Sequence, residues 1–185
     1  MKIEILSGSP RPNSTTVRVA QHLQKVLLKR TEHEVGLIDL REHHLPPLQQ
    51  VFVAPHLAPE KYQPLAKRMF EADAFILLTP EYNGSYTPDL KNLLDHFPKQ
   101  SHKVFGLVTA SPGAMGGMRA AIQLQQLVFA LFGIGSPHML ITPGVDKKFD
   151  AEGNLIDPGF QKNIDVFLKE FLWLAEKVVD EKVTV

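Results

Sequence analysis

The chain contains no cysteine, which excludes disulfide bonds, thiolate catalysis and any metal or iron–sulfur site with cysteine ligands. It also has no excess of charge, because 20 lysine and arginine residues balance 20 aspartate and glutamate residues. A surface for nucleic acid or for anionic lipid needs a basic excess, and an electron carrier that docks on basic partners is usually strongly acidic. The composition therefore disfavours all three classes of protein.

Long apolar runs and metal-binding spacings are missing as well. No apolar stretch reaches the roughly 20 residues that cross a bilayer, and no basic segment leads into an apolar signal region. The eight histidines show no ligand spacing such as H-x-x-x-H, and His43 and His44 are adjacent, so their side chains would point apart. We therefore expect a cytoplasmic protein without a metal site, a nucleic-acid partner or a membrane partner.

The chain does contain a regular alternation of apolar strands and helices. Strands are predicted at 2–8, 34–40, 74–80, 103–110 and 138–142, helices at 14–30, 60–72, 88–97, 115–132 and 158–180, and long loops at 41–59 and 143–157. Strands that are apolar throughout and are separated by helices predict a parallel sheet covered on both faces. With right-handed crossovers this gives an α/β fold, a three-layer, doubly wound, five-stranded sheet in one domain over residues 1–185.

The loop after the first strand, GSPRPNSTT (8–16), has the composition of a phosphate site. Ligands of doubly wound sheets bind beyond the carboxyl ends of the strands, where this loop is expected. Arg11 supplies a positive charge, and the free N–H groups at the start of the next helix complete an anion site. The hydroxyl donors are Ser9, Ser14, Thr15 and Thr16. The loop is neither a Walker A sequence nor a G-x-G-x-x-G sequence, and the alternative is that Asn13 or Ser14 simply caps the helix.

Two further loops follow the third and fourth strands. TPEYNGSYTP (79–88) is rigid and turn-forming, and its backbone groups and Tyr82 suit the edge and the face of a flat heteroaromatic ring. TASPGAMGGMRAA (109–121) has three glycines near Ser111 and Pro112 that allow close approach of the backbone. Taken alone, the first of these loops is more commonly an ordinary turn with an exposed tyrosine, and the alternative for the second is a flexible, glycine-rich loop. Because all three loops should meet at one rim of the sheet, together they predict a mononucleotide site for a flavin.

In GSPRPNST, PEYNGSYTPDLKNLLD and SPGAMGGMRAA the chain resembles the NADPH-dependent FMN reductase family of flavodoxin-like proteins, which includes quinone, chromate and azo-dye reductases. The resemblance implies a flavodoxin-like strand order of 2-1-3-4-5. The implied FMN-binding residues are Ser9, Arg11, Ser14, Thr15 and Thr16 at the phosphate, Pro80, Glu81, Tyr82 and Asn83 along the isoalloxazine, and Ser111, Gly113 and Gly116 on its other side. HFPKQ (96–100) departs from the family, which often has a tryptophan and a Ser-Arg pair there, and this leaves the contacts on the dimer side of the flavin open.

The resemblance further implies an enzyme that passes hydride from NADPH through bound FMN to a small acceptor by a ping-pong mechanism. The acceptor is a quinone, an azo compound, chromate, a ferric chelate or free flavin. The flavin does the chemistry, so no catalytic side chain is required, and Tyr82 is expected to position the nicotinamide or the acceptor. A homodimer or tetramer is also implied. Two alternatives stay open: a flavodoxin-like electron carrier without NADPH activity, and a non-enzymatic binding protein with the same fold.

Overall fold

The computed structural model describes residues 1–180 and contains a six-stranded sheet with helices on both faces. The strands are β1 (Lys2–Ser7), β2 (Glu34–Asp39), β3 (Ala74–Thr79), β4 (Val104–Ser111), β5 (Ile134–Gly135) and β6 (Leu140–Pro143). The helices are α1 (Thr16–Arg30), α2 (Gln63–Glu71), α3 (Pro88–Asp95), α4 (Met118–Ala130) and α5 (Gln161–Asp180). Residues 181–185, which the predicted domain includes, lie outside the described residues.

All strand pairs in the sheet are parallel, and the order β2-β1-β3-β4-β5 confirms the predicted 2-1-3-4-5 arrangement. The prediction of one fifth strand over 138–142 was wrong in its extent. Two short strands occupy that position: β5 pairs with the first half of β4 and β6 with its second half. Pro137 lies between β5 and β6 and has no N–H to donate, which favours an interruption of the ladder there.

The central strands β1, β3 and β4 are buried on both faces along nearly their whole length, whereas β2 is partly exposed and β5 is exposed. On β1, Ile5 packs with the helices α1 and α5, whereas the next residue, Leu6, packs on the opposite side with α2, α3 and α4. Every residue of β3 is buried. Because side chains alternate between the faces of a strand, each apolar strand contributes to two separate cores, and the sheet becomes the middle of three layers.

Helix boundaries differ from the predicted ones where the backbone turns. The predicted helix 115–132 begins only at Met118, because Gly116 and Gly117 adopt left-handed φ values of +61° and +88°. The predicted loop 41–59 contains one 3₁₀ turn at Pro55–Leu57, and Phe52 anchors it by packing on Tyr62. Up to residue 180, none of the helices combines the length and the low polarity that crossing a bilayer requires.

Candidate flavin site

The three polar loops meet at the carboxyl edge of the sheet around a cleft of about 330 Å³. The cleft is lined by Ser9, Arg11, Asn13, Ser14, Thr15, Thr16, Pro80, Glu81, Tyr82, Ala110, Ser111 and Pro112. The sequence did not assign Asn13, Ala110 and Pro112 to the ligand, although all three are close in the chain to residues that it did assign. Of the described residues that the sequence did assign, Asn83, Gly113 and Gly116 do not line this cleft.

At one end of the cleft the loop 8–16 leads into α1. The Ser14 hydroxyl accepts a hydrogen bond from the Thr16 N–H at 3.2 Å, so Ser14 makes the capping contact of the alternative interpretation. Within the described residues, the side chain of Thr15 makes no such contact at its N-cap position. The first turn of α1 contains no acidic residue that would repel an anion. Helix capping therefore accounts for Ser14 alone and leaves the other hydroxyls of this loop available to a phosphate.

Two arginines lie near this end of the cleft, and they differ in their partners. Arg41 donates to the Asp39 carboxylate from Nη2 at 2.6 Å and from Nε at 2.9 Å, and this hydrogen bonding raises the pKa of Arg41. Arg11 instead places its guanidinium 4.5 Å from the centre of the Tyr82 ring. Since Arg41 is committed to a buried carboxylate, Arg11 is the cation that the cleft offers to a phosphate.

Beside Arg11 in the cleft, residues 82–85 form a tight hairpin. The N–H groups of Tyr82 and Ser85 donate to each other's carbonyl oxygens at 2.9 and 3.1 Å. Asn83 and Gly84 have φ values of +50° and +83°, as a two-residue turn of this type requires. The hairpin holds the Tyr82 ring beside Arg11, and the buried Tyr82 hydroxyl has no hydrogen-bond partner among residues 1–180.

Thr87 joins the phosphate-side loop to the hairpin loop, a role that the sequence did not predict. Its hydroxyl donates to the Gly8 carbonyl and accepts from the Leu90 N–H at 3.3 Å, which caps α3. Its N–H donates to the Thr79 hydroxyl at 3.2 Å. Threonine is common at helix N-caps, so its position before Pro88 predicts the cap but gives no indication of the bond to Gly8.

The third loop, 111–117, is shaped by packing on the sheet. A Cβ at Gly116 would lie 2.7 Å from the Pro143 nitrogen, and one at Gly117 would lie 2.9 Å from the Thr109 Cβ. These glycines are therefore required for the approach to β6 and β4, whereas the sequence had placed Gly116 at the ligand. Its contact with a ligand stays a prediction.

These groups fit FMN, whose phosphate is joined to a flat ring system. The cleft combines a cation and hydroxyl donors with an adjacent aromatic ring. A larger cavity of about 490 Å³ lies between the start of α4 and Phe160, and it is mainly apolar. Its cation, Lys148, is paired with Asp157 at 3.1 Å, so this cavity suits a phosphate less well. Within residues 1–180, no three histidine, aspartate or glutamate residues are grouped so that they could bind a metal ion.

Comparison with known proteins agrees with this chemistry. Residues 1–143 match the family described as NADPH-dependent FMN reductase. The chain belongs to this family. An FMN-dependent NADPH-azoreductase of Staphylococcus saprophyticus is 32% identical to this reductase over 182 residues, covering 93% of the chain and 94% of the relative.

Solved structures agree with the fold of the reductase. FerB of Paracoccus denitrificans, a flavoenzyme NAD(P)H:(acceptor) oxidoreductase, has a TM-score of 0.77 at 26% identity, over 95% of this chain and 97% of FerB. A flavodoxin variant of Pseudomonas aeruginosa has a TM-score of 0.58 at 18% identity, over 93% of this chain and 99% of the flavodoxin, which supports the fold alone. The predictions of a flavodoxin-like fold and of an FMN- and NADPH-dependent oxidoreductase are confirmed.

Proposed function

We propose that FMN binds in the cleft formed by loops 8–16, 80–85 and 110–117, and that the enzyme reduces a small acceptor there. The observation that carries this proposal is the meeting of Arg11 and the hydroxyl-rich loop with the Tyr82 hairpin in one cleft. When bound, FMN would take hydride from NADPH and pass electrons to the acceptor. The two substrates would use the site in turn, as a ping-pong mechanism requires.

The chain's own groups bind and orient the substrates in this proposal. The FMN phosphate is bound by the Arg11 guanidinium, the hydroxyls of the loop and the N–H groups at the start of α1. Tyr82 orders the nicotinamide or the acceptor. Backbone N–H groups of the segments 80–84 and 111–117, other than those of Tyr82, Gly113 and Gly116, which are bonded within their own loops, stabilise negative charge that develops on the ring.

The acceptor that we propose is a quinone or an azo compound, with chromate, ferric chelates and free flavin as further candidates. The name of the staphylococcal relative supports an azo compound, and that of FerB supports a broad acceptor class. The family match favours an enzyme over an electron carrier or a non-enzymatic binding protein, because the description of the family names NADPH as its reductant. We place this activity in the cytoplasm.

We further propose that the reductase is a homodimer or a tetramer, assembled through α4. This helix exposes Met118, Ile122 and Phe129, spaced by four and seven residues along one stripe, and Phe129 is 79% exposed. An apolar stripe of this kind is typical of a protein interface. Phe129→Ser should therefore give a smaller species by light scattering, whereas Leu28→Ser, at an exposed leucine of α1, should leave the assembly unchanged. Equal masses for both variants and the wild type would contradict an α4 interface.

The first test of the function is an absorbance spectrum. The purified protein is mixed with FMN, freed of unbound flavin by gel filtration, and treated with NADPH under anaerobic conditions. We expect a bound flavin band that bleaches promptly and returns when a quinone is added. A band that persists with NADPH would support an electron carrier, and loss of all flavin on the column would refute the proposed site.

A further inference from the structure

One ion pair connects the two loops that face each other across the ring end of the cleft. Glu81 follows β3, and Arg119 lies in the first turn of α4, 38 positions later. The Glu81 Oε2 accepts a hydrogen bond from the backbone N–H of Arg119 at 3.1 Å, and its Oε1 lies 3.4 Å from the Arg119 Nη1. The Glu81 side chain is only 17% exposed, whereas that of Arg119 is 65% exposed.

This ion pair supplies the capping acceptor and the negative charge that the start of α4 lacks. The N-cap residue is Gly117, which has no side chain to cap the helix, and the first turn contains no acidic residue. The Glu81 carboxylate, which belongs to a different loop, fills both roles. It accepts a hydrogen bond from one of the free N–H groups and places a negative charge at the positive end of the helix. The start of α4 is thereby bonded to the loop that contains Tyr82.

The Arg119 side chain also lies beside the hairpin. Its Cδ lies 3.7 Å from the position that a Cβ of Gly84 would occupy. The loop 80–85 is therefore held between two arginines, with Arg11 on the ring of Tyr82 and Arg119 beside Gly84.

We propose that Glu81 and Arg119 act as a positioning pair that fixes the two ring-facing loops and adjusts the redox potential of bound FMN. This inference rests on the proposed function of the cleft. Glu81 lines the cleft, so with FMN bound there its negative charge would lie near the ring that reduction makes more negative, and Arg119 would compensate that charge. A negative charge beside the ring disfavours reduction and a positive charge favours it. The two residues therefore act on the potential in opposite directions, although they are bonded to each other.

The test is a set of conservative variants studied as FMN-loaded protein. Glu81→Gln should raise the midpoint potential, and Arg119→Gln should lower it, because the second variant leaves the Glu81 carboxylate uncompensated. We expect the ratio of the dissociation constants for oxidised and reduced FMN to change by about two- to fivefold in each case, with opposite signs, since exposed ion pairs produce effects of this size. Arg119→Lys retains the positive charge, so its midpoint potential should lie much closer to that of the wild type than the potential of Arg119→Gln does.

Matched controls come from the ion pair of Arg30 and Asp165, which joins the end of α1 to α5 with an Nη1–Oδ1 distance of 2.7 Å. Arg30→Gln and Asp165→Asn should leave the potential unchanged. Shifts of one sign in both site variants, or no shift in either, would overturn the inference, because a purely structural contact would alter FMN affinity without opposite changes in potential. If the wild type binds no FMN or is not reduced by NADPH, the proposed function itself fails, and the inference fails with it.

Discussion

Replacement of Arg11 by leucine tests the phosphate end of the cleft. A charge-assisted hydrogen bond to phosphate contributes about 1.5–3 kcal/mol, and an exposed cation–aromatic contact contributes about 0.5–1 kcal/mol. Arg11 lies 4.5 Å from the Tyr82 ring centre, and we assume that it gives up this contact when it binds the phosphate. The net loss in Arg11→Leu is then about 1–2 kcal/mol, or roughly five- to thirtyfold in the FMN dissociation constant.

Riboflavin makes this experiment selective, because it has the same ring system as FMN but no phosphate. Titrations followed by flavin fluorescence should show weaker FMN binding by Arg11→Leu and nearly unchanged riboflavin binding. Added salt should weaken FMN binding by the wild type more than by the variant, since the lost interaction is electrostatic. Arg30→Leu, at the other end of α1, is the control. Equal losses for both ligands would refute the reasoning and would indicate that Arg11 maintains the loop structure instead.

Three further predictions concern the ring, the core and the pH dependence. Tyr82→Ala should lower kcat by about two- to tenfold, with a smaller effect on FMN affinity, because it removes an aromatic contact to the substrate. Tyr82→Phe keeps the ring and should retain the rate. An unchanged rate in Tyr82→Ala would contradict the assigned role. Gly106→Ala should lower the free energy of unfolding by about 1–3 kcal/mol in urea, because its Cβ would lie 2.9 Å from Phe167 Cζ and 3.0 Å from Phe171 Cδ2, both rings being fully buried. Gly135→Ala, whose Cβ would meet no described atom within 4 Å, is its control and should be nearly neutral. Burial lowers the pKa of His22, so this histidine takes up its proton at a higher pH in the unfolded chain than in the folded protein. The free energy of unfolding should therefore fall as the pH drops below about 6.5. His22→Gln should reduce this fall in urea titrations, and the same fall in the variant would show that other groups cause it.

The fold was predictable because its central strands are mainly apolar. Ala74–Thr79 is buried at every position, and such a segment has no solvated face on which to place a polar residue. The incorrect predictions of element boundaries lie where the sequence has no regular periodicity. Ile134–Gly135 is too short and too exposed to be distinguished from a loop, so the division of the fifth strand was missed. The start of α4 was misplaced because the left-handed conformations of Gly116 and Gly117 cannot be deduced from residue type alone.

The site was predictable as a set of loops but not as a set of contacts. Residue types and the position after each strand identified the segments of Arg11 and Tyr82. The contact between their side chains spans 71 positions of the chain, and the one between Glu81 and Arg119 spans 38, so neither leaves a local pattern. The spacing of Thr87 before α3 similarly predicts a cap and gives no indication of its bond to Gly8.

The division of the fifth strand also affects how copies of the chain can meet. An exposed outer strand can pair with a strand of another molecule and so lead to aggregation, and natural proteins shorten or interrupt such strands. Within residues 1–180, the side of the sheet beyond β4 presents only the segments Ile134–Gly135 and Leu140–Pro143, and the second ends in a proline that cannot donate a hydrogen bond. Neither segment is long enough to template a continuous ladder. This outer side is therefore protected against sheet extension.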